Sequence, residues 1–401
     1  MALKDIGAKF ESWKTCEWDI NAIKQYKAIH CSDDNIDYSY NKTKEQLVEI
    51  LFNKGISNDG KKLMPKEKIN NKYEKWLREI YNDCCATANL VDITRVNGKE
   101  LEIKNKDKYC YLLTYSCPCT NLSIAGLQNG MKKEDKTASS LLWEVKRILS
   151  ECIELPQILL MENVTQIHSK KNLSQFEEWI KFLEGLGYSN FWQDMNAKDY
   201  GIPQSRNRTF MISILDPTNQ IIFNFPNPIK LNKKFIDLLV DENTIEEKFY
   251  INSPEANEVV RKLFLKDNSI FKKKRITIDL SLNDPEIKTI ANCITAHLAK
   301  DGNWIERRKS KNNGVVIFKN ENNDMQEMLN INFKIRKINP NETFRLMGCS
   351  DDIFKRAKTV ASNTSLYKTA GNGIAKNCLE AIFCQMNISG VLNWEEYSEK
   401  Y

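Results

Sequence analysis

The chain of 401 residues has a net charge of +6, with 41% hydrophobic and 28% charged residues. This length and composition predict a globular protein with one large and one smaller domain. No apolar run is long enough to cross a bilayer and the N-terminus has no secretory signal, so a cytoplasmic protein is expected. The 12 cysteines are then expected to be free thiols, and three histidines without paired Cys-x-x-Cys blocks predict no metal site.

The first segments indicate a strand between two helices. Residues 2–10 resemble the tail of an amphipathic helix, residues 13–18 (WKTCEW) indicate a short strand ending at Glu17, and residues 21–30 return to helical period. Nucleotide-binding sheets use such an acid at a strand end to hold a ribose. From the spacing alone, a surface acid is the favoured interpretation of Glu17.

Residues 32–105 are polar and are predicted to form a solvated insertion. Helical patterns occur at about 43–54 and 68–90, and boundaries from single sequences are approximate. The region leads into Val91-Asp92-Ile93, a second strand-like tip that carries an acid. A surface aspartate is nearly as good an account of Asp92 as a functional carboxylate.

A cysteine follows the next predicted strand. Residues 109–115 (YCYLLTY) form an apolar, aromatic-rich run that breaks at Ser116. Pro118 fixes its own φ and biases Cys117 towards an extended shape, so Cys119 is expected on a stiff loop. Open α/β sheets place their chemistry at such strand ends, which makes Cys119 a candidate despite the weakness of a single Pro-Cys pair.

Two further candidates follow predicted strands. Residues 157–164 (QILLMENV) predict a buried parallel strand ending at Glu162, and a carboxylate there should be hydrogen-bonded or functional. Gln204, Arg206 and Arg208 alternate, so their side chains share one face of an extended segment. This pattern favours an anion or base-edge site, and the alternative is a solvated edge strand.

The composition changes over residues 216–334, which are rich in Asn, Lys and Pro and contain a basic run at 272–275. This region predicts a second, smaller domain of irregular and β structure. Residues 291–297 (ANCITAH) stand out in it as a β-branched patch.

The C-terminal part returns to helical patterns. Pro340 at a helix start and Glu342 in its first turn are favourable N-terminal residues. After them, Gly371-Asn372-Gly373 predicts a turn into a C-terminal helix.

The order of these motifs resembles the DNA cytosine-5 methyltransferases of bacterial restriction–modification systems. Pro118-Cys119, Glu162-Asn163-Val164, Gln204-x-Arg206-x-Arg208, a long gap and Gly371-Asn372-Gly373 occur in the family's order. The resemblance implies a doubly wound, Rossmann-like α/β domain that uses S-adenosylmethionine. It also implies a catalytic domain at 1–225 (with the insertion at 32–105) completed by 351–401, and a smaller, irregular, β-containing target-recognition domain at 226–350.

The resemblance also implies roles for single residues. Cytosine C5 is a poor nucleophile, and addition of the Cys119 thiolate to C6 would make an enamine able to attack a methyl sulfonium. Glu162 would hold N3 and the exocyclic amine of a flipped cytosine, Arg208 would face O2, and Arg206 would support it. The implied cofactor contacts are Glu17, Trp18, Asp92, Pro118, Leu142 and Asn372, and the implied DNA contacts are Gln204, Ser123 and Thr295. Core packing is an equally good account of Leu142.

The sequence departs from the family in two places. A Phe-x-Gly-x-Gly turn, expected before Glu17, is absent, as if the chain began inside the following helix, and Thr120 replaces the usual glutamine. Without that turn the cofactor pocket would lack one wall, so a DNA-binding module without catalysis stays open as an alternative. RNA methylation by the same chemistry is a third, but the gap from 215 to 334 favours a DNA-recognition domain. The expected partners are duplex DNA and a separately encoded restriction endonuclease, with a monomeric enzyme.

Overall fold

The computed structural model describes residues 1–116, 141–267, 269–270, 273–281, 284–296, 298, 312–318 and 333–401. Cys117, Pro118, Cys119, Thr120 and Ser123 lie outside these ranges. The helices are α1 Ala2–Asp5, α2 Ile20–His30, α3 Lys44–Lys54, α4 Lys66–Asn70, α5 Glu74–Ala86, α6 Leu142–Glu151, α7 Leu173–Gly185, α8 Pro254–Lys266, α9 Pro340–Arg345, α10 Asp351–Lys358, α11 Asn363–Asn372, α12 Lys376–Cys384 and α13 Trp394–Tyr397. The strands are β1 Leu112–Tyr115, β2 Ile158–Asn163, β3 Tyr188–Asn196, β4 Gln204–Ser205, β5 Asn207–Leu215, β6 Arg275–Asp279, β7 Glu286–Ile287, β8 Ala291–Asn292, β9 Asn313–Phe318 and β10 Phe333–Lys337.

A central sheet runs in the order β1-β2-β5-β3, with β1 parallel to β2 and β5 antiparallel to both of its neighbours. Because side chains alternate along a strand, Leu160 and Ile212 point to one apolar core, and Met161 and Met211 point to another. Helix α12 contributes to the first core, and α6 and α7 contribute to the second. Helices therefore cover both faces of the sheet, which confirms the predicted doubly wound α/β class.

The N-terminal residues pair with the end of the polar region. Thr15 and Asn89 form a parallel bridge, and the Leu90 N–H donates to the Thr15 carbonyl at 2.8 Å. The Asn89 side chain accepts from the Glu17 N–H at 3.0 Å and donates to the Glu17 carbonyl at 2.9 Å. The strand predicted at residues 13–18 is thus a short paired segment that leads into α2.

The region predicted as a solvated insertion contains a buried core of its own. The two predicted helices correspond to α3 and α5, and α3 begins at a capping box formed by Thr43 and Gln46. Leu47, Leu51 and Ile80 are buried together with Ile23 of α2. These helices are therefore part of a folded unit with α2, and the limits of the insertion stay a prediction.

A second sheet, β10-β9-β6-β7, is antiparallel and lies in the predicted irregular region. Its side chains Ile276, Val315 and Ile335 are buried in the same core as Phe210 of the central sheet. The region also contains α8, which the sequence analysis missed although Ser253 caps it and Pro254 is its first residue. The domain boundary near residue 226 stays a prediction.

A buried ion pair joins β10 to α9. Arg336 and Glu342 are both fully buried, and two of their N–O distances are 2.9 Å. Asn339 and Glu342 form a capping box with Pro340 in the first turn, as the sequence predicted for a helix start. The Arg336 Nε atom also donates to Glu242 at 2.8 Å, so this cluster ties α9 to the segment before α8.

The described ranges contain no helix that is both long and apolar enough to span a membrane. Within the same ranges, no group of three His, Cys, Asp or Glu side chains is arranged to hold a metal ion.

Candidate active site

Glu162 lies at the carboxyl end of β2 and is 4% exposed. Its Oε2 atom accepts a hydrogen bond from the Ser116 hydroxyl at 2.7 Å. Its Oε1 atom lies 3.3 Å from the Arg208 Nε atom. The sequence predicted a hydrogen-bonded or functional carboxylate, and the structure shows that both oxygens have a partner.

Arg208 lies on β5 and is held on several sides. Its Nη1 atom donates to the Asn207 carbonyl at 2.7 Å, and its Nη2 atom lies 3.8 Å from the Cys293 sulfur. The side chain remains 17% exposed. Arg208 therefore places a positive charge beside Glu162 and keeps part of its surface open to a ligand.

Arg206 is turned into the protein and is 3% exposed. It donates to the carbonyl oxygens of Ile294 at 2.9 Å, Gly371 at 3.1 Å and Gly373 at 2.6 Å. Burial lowers the pKa of its guanidinium, and the charge of Arg208 acts in the same direction. Its contacts hold the 293–294 segment against the end of α11.

Gln204 has no exposed surface. Its Oε1 atom accepts from the Ile294 N–H at 2.9 Å, and its Nε2 atom donates to the Leu346 carbonyl at 2.5 Å. Gln204, Arg206 and Arg208 all contact residues 293–294, as expected for alternating side chains on one face. In this conformation Gln204 presents no surface to DNA, and its hydrogen bonds are internal.

Thr295 and Asn372, predicted to contact DNA and cofactor, are both exposed. They lie near each other because the backbone of residues 295–296 packs against Gly371. A Cβ atom at Gly371 would lie 2.2 Å from the Thr295 carbonyl carbon and from the Ala296 nitrogen. Only glycine fits at this contact.

The predicted cofactor acids lie at the ends of two paired segments. The Glu17 Oε1 atom accepts from the Asp19 N–H at 2.7 Å, and burial raises the pKa of Glu17. Asp92 is 4% exposed, accepts from the Thr94 N–H at 3.0 Å and lies 3.2 Å from Arg95 Nε. Between them in the paired segments, the Cys16 thiol donates to the Val91 carbonyl at 3.5 Å.

These two acids fit a nucleoside. Carboxylates at adjacent strand ends are suited to accept hydrogen bonds from hydroxyl and amino groups. Trp18 is partly buried beside Glu17 and packs against the helical core. Leu142 is 1% exposed in the core behind β2, so its contacts are with the protein interior.

Sequence reasoning missed two members of the site, Ser116 and Cys293. Ser116 directly follows β1, and a polar residue at a strand end was the available signal. Cys293 lies next to β8, within 3.5 Å of Arg206 and 3.8 Å of Arg208. Its contact with the arginines depends on the pairing of β4 with β8, and local sequence patterns do not predict such a pairing between distant segments.

The central sheet with helices on both faces, and the Ser116–Glu162–Arg208 cluster at its edge, fit the Rossmann-like methyltransferase class. A family model described as C-5 cytosine-specific DNA methylase matches residues 52–387, and the chain belongs to this family. It is thus a DNA cytosine-5 methyltransferase, and S-adenosylmethionine is the methyl donor that the family implies.

Curated relatives are type II and orphan methyltransferases. The chain is 31% identical over 374 residues to the type II methyltransferase M2.ScrFI of Lactococcus lactis subsp. cremoris, covering 91% of this chain and 89% of that protein. It is 30% identical over 385 residues to the orphan methyltransferase M.SssI of Spiroplasma monobiae, covering 93% and 90%. The crystal structure of S. pombe Dnmt2 methyltransferase has a TM-score of 0.55 at 14% identity, covers 95% of this chain and 92% of that chain, and supports the fold.

Proposed function

We propose that this enzyme methylates C5 of a flipped cytosine in a specific duplex sequence through a covalent adduct with Cys119. Cys119 follows Ser116 by three positions in the sequence, and Ser116 contacts Glu162. The observation that carries the proposal is the cluster of Glu162 and Arg208 at the strand end from which the Cys119 segment departs.

Each residue has a role that suits its chemistry. Cys119 adds to C6 of the cytosine, and the positive charge of Arg208 would favour its thiolate. C5 then takes the methyl group, and loss of the C5 proton with elimination of the Cys119 thiolate restores the aromatic ring and frees the enzyme. Glu162 holds N3 and the exocyclic amine, while Arg208 faces O2 and stabilises negative charge that develops on the ring. Arg206 has a supporting role, because its hydrogen bond to the Ile294 carbonyl holds the 293–294 segment in place.

Bound S-adenosylmethionine would supply the methyl group as an electrophilic sulfonium. Glu17, Trp18 and Asp92 would hold its nucleoside, and Pro118 and Asn372, the last residue of α11, are the further proposed contacts. Leu142 supports the same region from the core.

Residues 226–350 form the target-recognition domain, and Thr295 and Ser123 contact the DNA. Gln204 supports this surface from within, because its amide holds Ile294. The enzyme is a cytoplasmic monomer that acts beside a separately encoded restriction endonuclease.

The test is Cys119→Ser with tritium-labelled S-adenosylmethionine and unmethylated plasmid DNA. We expect methyl transfer to fall by a factor of about 10⁴ or more, because serine is a far weaker nucleophile at neutral pH, while the Kd for duplex DNA stays within about two-fold of wild type. Cys110→Ser removes an exposed thiol and is the matched control, expected to keep wild-type activity. Methyl transfer that persists in Cys119→Ser would refute the nucleophile, and transfer to folded RNA in preference to DNA would refute the substrate.

A further inference from the structure

A hydroxyl group that belongs to none of the motifs lies against the Glu162 carboxylate. The Ser116 Oγ atom donates to Glu162 Oε2 at 2.7 Å. The register of the sheet explains the contact: Tyr115 pairs with Met161, so the next residues on the two parallel strands, Ser116 and Glu162, lie side by side. Neighbouring side chains on one face of a sheet have Cβ atoms about 5 Å apart, a gap that serine and glutamate can bridge.

The other oxygen of Glu162 is held from the opposite side. Glu162 pairs with Phe210 on β5, and Arg208 lies two residues earlier on the same face. A long side chain reaches such a diagonal neighbour, and the Arg208 Nε atom lies 3.3 Å from Oε1. The Glu162 carboxylate therefore lies between the Ser116 hydroxyl, which follows β1, and the Arg208 guanidinium on β5.

Rotation of a carboxylate about its last bond is soft, because this torsion has broad minima. A base recognised through N3 and its exocyclic amine requires both carboxylate oxygens to lie near the plane of the ring. Two partners on opposite sides hold the carboxylate in one orientation before the substrate binds. Reacting and binding groups that are already oriented in this way make the reaction faster.

We propose that Ser116 is a positioning residue whose hydroxyl sets the orientation of the Glu162 carboxylate towards the flipped cytosine. The inference rests on the proposed function, since it assigns to Ser116 a part in the role given to Glu162. Ser116 touches no substrate atom in this scheme and acts through Glu162 alone.

The surroundings of Ser116 make the inference testable. Ser116 is exposed, so removal of its hydroxyl opens no buried cavity, and stability should change little. Glu162 is 4% exposed, so water replaces the lost donor poorly, and the effect should fall on the carboxylate.

The experiment compares Ser116→Ala with Ser116→Thr in the full chain, using tritium-labelled S-adenosylmethionine and unmethylated plasmid DNA. We expect Ser116→Ala to lower kcat about 10-fold, with KM for DNA and for S-adenosylmethionine within about two-fold of wild type. Ser116→Thr keeps the hydroxyl and should recover most of kcat. Ser150→Ala removes an exposed hydroxyl that donates to the Lys146 carbonyl on α6, and it should match wild type.

Three results would overturn the inference: wild-type kcat in Ser116→Ala, a loss confined to KM, or a threonine variant as slow as the alanine variant. Should Ser116→Ala fail to fold, Ser116→Cys replaces it, because a thiol of similar size donates only weakly.

Glu162→Gln, measured in the same assay, separates this inference from the proposed function. A slow Glu162→Gln beside a wild-type Ser116→Ala would overturn the role of Ser116 alone. Full activity of Glu162→Gln, or no transfer by the wild-type chain to plasmid DNA, would overturn the proposed function and the role of Ser116 with it.

Discussion

Asp83 on α5 is a partly buried acid, and its burial disfavours the charged form of the carboxyl group. Burial raises its pKa to about 6 and Glu79 adds to this, while Lys24 and Lys27 oppose it. Because the folded-state pKa lies above the usual 3.8, folding is favoured by protonation. The contribution of Asp83 to stability is therefore most favourable below about pH 4 and is lost as the pH rises through about 6.

Asp83→Asn is expected to raise the melting temperature at pH 7.5 by about 1–2 °C, a small value because solvent screens this partly exposed group. At pH 5 the gain should be smaller, since wild-type Asp83 is then largely protonated. Thermal unfolding followed by circular dichroism at both pH values measures the difference. An equal gain at both would show that the charge of Asp83 is not its cause.

Residue-level roles were partly predictable. Alternation placed Gln204, Arg206 and Arg208 on one face, and burial at a strand end singled out Glu162. The partners were not predictable, because Arg206 binds carbonyls at 294, 371 and 373, far away along the chain. Contacts of this kind depend on how distant segments are brought together, which periodicity does not report.

At the scale of elements, the end of α11 depends on one glycine. A Cβ atom at Gly371 would lie 2.2 Å from backbone atoms of residues 295 and 296. Gly371→Ala is therefore expected to destabilise the protein by about 1–3 kcal/mol and to reduce methyl transfer, because the loop carrying Thr295 must move. Chemical denaturation and the plasmid assay measure both effects.

Gly373→Ala is the matched control, since the nearest atom to its Cβ would be the Thr369 carbonyl oxygen at 3.2 Å and its φ is −67°. It should change stability by less than about 1 kcal/mol. Equal effects of the two substitutions would contradict the close contact at Gly371.

Two elements show where periodicity succeeds and where it fails. The helical patterns predicted at about 43–54 and 68–90 correspond to α3 and α5 in the structure. Helix α8 has buried residues at the right spacing, Ala256, Val259, Val260 and Leu263, but the polar segments around it hid the pattern. Helix α11, which ends at Asn372, was predicted only as a turn.

At the scale of the whole molecule, Arg336 links distant segments through Glu342 and Glu242. Arg336→Met is expected to lower the free energy of unfolding by about 3–5 kcal/mol, because it leaves the buried Glu342 carboxylate without its cation. Arg261→Met breaks an exposed pair with Glu258 on α8 and should cost less than about 1 kcal/mol.

Urea denaturation of both variants against wild type measures this difference. A loss of stability in Arg336→Met no larger than in Arg261→Met would contradict a structural role for the buried cluster.

Exchange of the second sheet between related enzymes is constrained by the core that it shares with the central sheet. Phe210 and Ile212 of β5 lie in one apolar core with Ile276 of β6 and Val315 of β9. A chimera joined near residue 226 would set foreign side chains against β5, and mismatched volumes in a packed core cost stability. A transplanted second sheet would therefore fold well only if the facing side of the central sheet were transplanted with it.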